Sequence, residues 1–172
     1  MNYAKIIKND TTAGQGFCVS LYVQGCPHHC PGCFNPETWD FAGGTLFTDN
    51  VAQEIWEALT ANNIQRNLCI LGGEPLAPRN RLDLAWFIIQ TRLKFPDIKI
   101  YIWTGYVIED LIAEDDLNLV NILHQIDYLI DGPFIESERD ITLKMRGSKN
   151  QRILHFTQEN NYAIIEEKEE NK

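Results

Sequence analysis

The chain has 172 residues, of which 44% are hydrophobic and 23% charged, and this balance fits one folded domain with a substantial core. Its net charge of −9 argues against nucleic acid and against an anionic membrane as partners, since both attract basic surfaces. No apolar run approaches the roughly 18 residues of a membrane span, and the N-terminal MNYAKIIKND shows no signal-peptide pattern. We expect a cytoplasmic protein with one domain over residues 1–165 and a solvated acidic tail over 166–172.

Strand and helix patterns alternate along the chain. Runs rich in β-branched and aromatic residues predict strands at 17–23, 67–71, 98–103 and 127–132, with a last strand at 151–156. Apolar spacing of three and four predicts helices at 51–59, capped by Thr48 or Asp49, and at 81–93, followed by a helical stretch at about 107–123. The core face predicted for the second helix consists of Leu82, Ala85, Trp86, Ile89 and Leu93.

This alternation predicts the α/β class, with a parallel sheet and right-handed crossovers. A complete eight-stranded barrel needs about 200 residues or more. The chain is therefore expected to form an incomplete (partial) TIM-like βα barrel with about five to six parallel strands. Its open side would suit a large substrate, such as a loop of another protein.

Three cysteines follow the first predicted strand in the spacing C-x3-C-x2-C, at Cys26, Cys30 and Cys33. Close cysteines in a cytosolic protein indicate metal or redox chemistry. A structural zinc site needs four ligands, and His28 or His29 could supply the fourth only by straining the loop. A four-iron cluster held by three thiolates instead leaves one iron open to a small molecule. Unrelated surface thiols remain a third interpretation.

Other chemically suggestive residues stand where predicted strands end. Gly72-Gly73-Glu74-Pro75 follows the second strand, Thr104-Gly105 the third, and Asp131-Gly132 closes the fourth. Active sites of parallel α/β folds lie at this edge of the sheet. The alternatives are a plain turn at 72–75, a helix cap at Thr104 and a turn residue at Asp131. Cys18 and Cys69 lie within predicted strands and are expected to be buried thiols.

The cysteine triad resembles the signature of the radical S-adenosylmethionine enzymes. Five stretches together resemble the activating proteins of anaerobic ribonucleoside-triphosphate reductases within that superfamily, over roughly residues 10–155. These stretches are GCPHHCPGCFNPETWDF, GGEPL, WTGY, IDGPFIE and RGSKNQR.

The resemblance implies a 4Fe-4S cluster on Cys26, Cys30 and Cys33, with S-adenosyl-L-methionine chelating the open iron. One electron from the reduced cluster would cleave this cofactor to a 5′-deoxyadenosyl radical. The radical would take hydrogen from a glycine of the reductase large subunit and leave a glycyl radical. A flavodoxin-like donor would supply the electron, and no general acid or base would be required.

The resemblance also implies cofactor-binding positions. Gly72, Gly73 and Glu74 would accept hydrogen bonds from the methionine ammonium group, with the glycines allowing close approach of the backbone. Thr104 would lie near the ribose or carboxylate, and Asp131 beside a monovalent cation, although Trp103 departs from the acidic residue that some activases carry there.

Two further positions complete the expected site. Gly32 replaces the aromatic residue that often precedes the third cysteine, so that adenine contacts would come from the Gly32 backbone or from Phe34. Arg146 could pair with a carboxylate, and the alternative for its segment is a solvated loop.

Other functions stay open at this point. The chain could activate another glycyl radical enzyme, of the formate-lyase type, or make a small modified base. A non-catalytic iron–sulfur electron carrier or a zinc module belongs to a different class. The stretch 72–75 distinguishes these classes, because a carrier has no need of an ammonium-binding strand end.

Overall fold

A computed structural model of the chain describes residues 1–157 and 163–166. Four helices and eight strands follow one another in the order β1 (Asn2–Asp10), β2 (Cys18–Val23), β3 (Thr45–Leu46), α1 (Asp49–Thr60), β4 (Asn67–Gly72), α2 (Pro78–Lys94), β5 (Ile100–Trp103), α3 (Ile108–Ile112), α4 (Leu117–Leu123), β6 (Tyr128–Asp131), β7 (Arg152–Thr157) and β8 (Ala163–Glu166). Across these described ranges, no helix is long and apolar enough to cross a membrane. Apart from Glu166, the predicted acidic tail lies outside them.

The strands form a single sheet in the order β3-β1-β2-β4-β5-β6-β7-β8. Its centre is parallel over β2, β4, β5 and β6, and the pairs to either side are antiparallel. The predicted α/β class with a parallel sheet is therefore confirmed. The sheet is open, because β3 and β8 are the two ends of the order of described strands.

The barrel part of the prediction is not confirmed, and the number of parallel strands was overestimated. Four strands run parallel rather than five or six. The physical reason lies in the connections: the segments 11–17 and 132–151 contain no α-helix that could carry the chain back across the sheet. A strand that returns directly pairs antiparallel with its predecessor.

The helices cover only one face of the sheet. The larger apolar cluster contains residues of all four helices together with alternate strand residues such as Leu21, Ile70 and Ile102. The smaller cluster lies on the opposite face and contains strand residues alone, among them Cys18, Cys69 and Tyr101. Both non-loop cysteines are fully buried, as expected. The face without helices is therefore left to loops.

Of the core face predicted for helix α2, only Ala85 is buried, at 3% exposure. Leu84, Phe87 and Ile88 are fully buried, whereas Leu82 and Leu93 are 68% and 73% exposed. Apolar residues occur on nearly every side of this helix, so that spacing alone could not identify the side in contact with the sheet. The predicted stretch over 107–123 is two short helices, and the Asp116 carboxylate caps the second by accepting hydrogen bonds from the backbone of Asn118 and Leu119.

A buried arginine joins α2 to the turn between α3 and α4. Arg81 is 1% exposed and donates to the Leu76 carbonyl at 2.7 Å, to Glu114 at 3.1 Å and to Asp116 at 2.9 Å. Its own burial opposes the charge, yet the hydrogen bonds to these carboxylates raise the Arg81 pKa overall.

We expect Arg81→Ala to lower the free energy of unfolding by about 3 kcal/mol, because it removes the cation between two carboxylates and leaves the Leu76 carbonyl without its donor. Arg79→Ala, at an exposed position of the same helix where the guanidinium lies 5.0 Å from the Phe41 ring, should cost about 1 kcal/mol or less. Urea denaturation measures both values. Equal losses in the two variants would contradict this role for Arg81.

The ion pair between Arg81 and Asp116 predicts that stability depends on pH. The hydrogen bond from Arg81 lowers the pKa of Asp116. The stabilising contribution of the ionised Asp116 is therefore present above its unfolded-state pKa of about 4. It is lost as the pH falls through the lowered pKa of Asp116 in the folded state. The difference in stability between wild type and Arg81→Ala should shrink along this acid limb.

Candidate active site

A cavity of about 570 Å³ lies on the face of the sheet without helices, at the carboxyl ends of the parallel strands. Its wall combines the cysteine loop, the ends of β4 and β5 and the segment between β6 and β7. Ala13, Leu71, Trp103 and Met145, which pack on the smaller apolar cluster, also line it. The strand-end residues predicted to meet at one edge thus surround a common space.

Main-chain hydrogen bonds hold the cysteine loop in place. The backbone N–H groups of Gly25 and Cys26 donate to the carbonyls of Thr38 and Trp39 at 2.8 and 3.0 Å. Gln24 at the end of β2 donates to two further carbonyls across the loop, at 2.9 and 3.0 Å. Hydrogen bonds within the protein therefore fold the loop back on itself.

All three cysteines of the loop line the cavity, each partly buried and none in a disulfide. Burial raises the pKa of Cys26 to about 11, and the negative charge of Glu74 also raises it. The Cys33 sulfur accepts a hydrogen bond from the backbone of Asn35 at 3.4 Å. Three thiols that share one wall of one cavity are suitable donors for an iron–sulfur cluster.

The donor set fits a cluster better than a single ion. Within residues 1–157 and 163–166, no three His, Cys, Asp or Glu side chains converge closely enough to hold one metal ion. In a four-iron cluster each thiolate binds a different iron, so that the three sulfurs surround the cluster and need not all reach a single ion. Neither histidine of the loop completes a zinc site: His28 contacts Glu74 at 2.8 Å, and the His29 ring lies 4.7 Å from Trp39.

The two glycines at the end of β4 make close contact with the chain's own backbone. Gly73 and Glu74 donate backbone hydrogen bonds to the carbonyls of Val23 and Gly25, both at 2.8 Å. A Cβ on Gly73 would lie 2.6 Å from the Gly25 oxygen, and Gly72 has φ +106°. The structure thus supplies a reason for glycine here besides ligand approach: the strand end packs on the entry to the cysteine loop.

The Glu74 carboxylate lies at the centre of the site and is 1% exposed. One oxygen accepts from the backbone of Leu76 at 2.9 Å and from the Thr104 hydroxyl at 2.8 Å. The other accepts from the backbone of Gly105 at 2.7 Å and contacts His28 Nε2 at 2.8 Å. These four partners match the four lone-pair positions of a carboxylate. Glu74 therefore joins the cysteine loop to the ends of β4 and β5.

The other predicted site residues fall into two groups. Phe34, Thr104 and Arg146 line the cavity, and Arg146 donates to the Gln151 carbonyl at 3.1 Å. Asp131 and Gly32 are not among the lining residues.

Local contacts explain why Asp131 and Gly32 do not line the cavity. Asp131 is fully buried and accepts hydrogen bonds from the backbone of Ile108 and from Arg152, both at 2.9 Å. The next residue, Gly132, lines the cavity in its place. Gly32 has φ +70°, and a Cβ there would lie 2.7 Å from the Glu136 carboxylate.

Apart from Arg146, the sequence analysis did not predict the wall formed by the segment between β6 and β7. The Phe134 ring lies 5.2 Å from that of Phe34, and the Arg139 guanidinium lies 4.8 Å from the Phe34 ring. Trp103 donates to the Met145 carbonyl at 2.6 Å. The cysteine loop and this segment are distant in sequence, and no local pattern indicates that they touch.

Comparison with known proteins adds an independent observation. A family model described as "4Fe-4S single cluster domain" matches residues 12–154. The anaerobic ribonucleoside-triphosphate reductase-activating protein of Pasteurella multocida is 39% identical over 92% of this chain and 99% of its own length. Those of Haemophilus influenzae and Enterobacteria phage T4 are 40% and 37% identical over 91% and 89% of this chain, and over 99% and 93% of their own lengths.

The chain belongs to the anaerobic ribonucleoside-triphosphate reductase-activating protein family. The resemblance found in five short stretches is therefore confirmed at the level of the family. In this member of the family, the three cysteines, Gly72 to Glu74 and Thr104 meet around one cavity.

The contact between Gly73 and Gly25 can be tested directly. We expect Gly73→Ala to lower the free energy of unfolding by about 1–3 kcal/mol, because its Cβ collides with a backbone oxygen that cannot rotate away. Gly16→Ala, where φ is +73° and no atom lies within 4 Å, should cost about 1–2 kcal/mol through backbone conformation alone. Gly73→Ala alone should also reduce the iron bound per chain. Normal iron content and stability in Gly73→Ala would contradict this reading of the contact.

Proposed function

We propose that the protein is a radical S-adenosylmethionine activase of an anaerobic ribonucleoside-triphosphate reductase. The observation that carries the proposal is that one cavity is shared by the three loop cysteines and the glycine-rich end of β4. The names of the relatives support the choice of reductase, and the matching family model supports the 4Fe-4S cluster.

In this proposal, Cys26, Cys30 and Cys33 hold the cluster, and S-adenosyl-L-methionine occupies the adjoining cavity. When bound, this pair supplies a one-electron cleavage of the sulfonium, with the electron coming from a flavodoxin-like donor, and transfer of a hydrogen atom from a reductase glycine. The residues of the chain bind and orient these groups. The half-buried positions of the cysteines restrict the access of water to them.

The hydrogen bonds of Glu74 refine its predicted role. All four lone-pair positions of its carboxylate already face protein groups. We therefore assign the ammonium of the cofactor to the main-chain carbonyls of Gly72 and Gly73, with Glu74 orienting that segment. Thr104 acts through Glu74 in the same way, and Phe34 and Arg146 contribute to the wall.

The cluster and its chemistry are tested anaerobically, after reconstitution with iron and sulfide, by reduction with dithionite and addition of S-adenosyl-L-methionine. We expect a brown protein that forms 5′-deoxyadenosine. Cys30→Ala should lose most of the product, because it removes one of three ligands. Cys18→Ala, at a buried strand position outside the cavity, should retain it. A colourless protein that binds one zinc and forms no product would replace the enzyme by a zinc module, and a brown protein without product would indicate an electron carrier.

The choice of protein substrate is tested separately. The reduced, loaded protein is mixed with S-adenosyl-L-methionine and either an anaerobic ribonucleoside-triphosphate reductase or a formate-lyase-type enzyme. We expect a glycyl radical signal in electron paramagnetic resonance (EPR) with the reductase. Replacing the acceptor glycine by alanine should abolish it. A signal with the formate-lyase-type enzyme alone would reassign the substrate without affecting the cofactor chemistry.

A further inference from the structure

One histidine of the cysteine loop is held on three sides by the ends of β4 and β5. His28 Nε2 lies 2.8 Å from the Glu74 carboxylate, and its ring meets that of Tyr106 edge to face at 4.5 Å. A Cβ on Gly105 would lie 2.6 Å from the His28 ring, so that the absence of a side chain at Gly105 makes room for it. Since a carboxylate only accepts hydrogen bonds, Nε2 carries the proton in this contact.

The neighbouring histidine faces a different part of the loop. His29 is exposed, has φ +48° and lies against Trp39, and it is not among the residues that line the cavity. Both histidines lie between Cys26 and Cys30. The two positions therefore share residue type and a place between the same two cysteines, but only His28 touches the strand ends.

The contact of His28 spans two parts of the site. The cysteine loop contributes the thiols, whereas β4 and β5 contribute Glu74 and Gly105. The Glu74–His28 hydrogen bond is a side-chain link between the two parts, next to the backbone contact of Glu74 with Gly25. Because both partners are largely buried, at 1% and 19% side-chain exposure, water competes little for this bond.

We propose that His28 is a positioning residue that fixes the strand ends around Glu74 relative to the cysteine loop, and that it thereby sets the affinity for S-adenosyl-L-methionine. This inference rests on the proposed function, since it assigns the cavity beside the loop to that cofactor. His28 acts through Glu74, which orients the Gly72 and Gly73 carbonyls. It takes no part in holding iron.

The experiment compares His28→Asn, whose shorter side chain does not reach Glu74, with the matched variant His29→Asn. Asparagine tolerates the left-handed backbone at position 29, so that this control is not strained. His28→Gln restores a longer N–H donor. Three quantities are measured on the reconstituted, reduced proteins: iron per chain, the change in the EPR spectrum on titration with S-adenosyl-L-methionine, and KM and kcat for 5′-deoxyadenosine formation.

We expect His28→Asn to keep its iron but to bind S-adenosyl-L-methionine about tenfold more weakly in the EPR titration, with a matching rise in KM and little change in kcat. His28→Gln should recover most of the affinity, and His29→Asn should equal wild type. Hydrogen exchange at the Gly105 amide should accelerate in His28→Asn alone, because the strand ends around Glu74 are no longer tied to the cysteine loop and open to water more often.

Any one of three results would overturn the proposal. An affinity in His28→Asn equal to that of wild type would show that the contact is not used. Loss of iron in proportion to activity would assign His28 to folding of the loop. A wild-type protein that binds iron but forms no 5′-deoxyadenosine would instead contradict the proposed function, and unchanged exchange at Gly105 in His28→Asn would then still decide against the positioning role.

Discussion

The geometry of the site depends on one buried carboxylate. Glu74 is 1% exposed, and burying an ionised carboxylate is unfavourable unless donors replace its hydration. Those donors come from its own turn, from the end of β5 and from the cysteine loop. Because each donor must be within about 3 Å, satisfying the charge also fixes the positions of three chain segments. The donors that offset the desolvation of Glu74 thus also define the arrangement of the site.

A second constraint is the asymmetric cover of the sheet. The four described helices all pack on one face, so that the opposite face presents only a small apolar cluster to the loops above it. Loops leave more open space than a helix layer, and the cavity forms there. Glycines then allow the loops to approach: Gly73 lies against Gly25, and Gly105 lies beneath the His28 ring. The cavity therefore forms because the helices all lie on the other face of the sheet. Its detailed shape depends on the close approaches that Gly73 and Gly105 allow.

The sequence predicted the elements and the meeting of strand ends, because both follow from local pattern and from the rule that parallel strands end at one edge. It did not predict β3, β8 or β1, and the residues of β1 are exposed or half-buried apart from Asp10 and lack the continuous apolar run of a central strand. It also placed Leu82 in the core. Apolar residues occur on nearly every side of α2, so that an apolar side chain there does not indicate which side faces the sheet. Asp131 was correctly placed at a strand end. Its hydrogen bond with Arg152, 21 residues further along the chain, has no local sequence signal, so that the burial of Asp131 outside the cavity was not predicted.

The described strands form an open sheet, yet the loops on one of its faces surround a cavity. One wall of the cavity is formed by the segment between β6 and β7, which reaches the cysteine loop through Phe34, Phe134 and Arg139. Ring contacts of this kind contribute about 1 kcal/mol each, far less than a layer of crossover helices. Hydrogen bonds add to these contacts: Trp103 donates to the Met145 carbonyl at 2.6 Å, Asn150 to that of Pro133 at 2.8 Å and Gln151 to that of Gly132 at 3.0 Å. In the proposed function, the four hydrogen bonds of Glu74 order the cofactor side of the cavity, and these ring contacts and hydrogen bonds order the wall opposite.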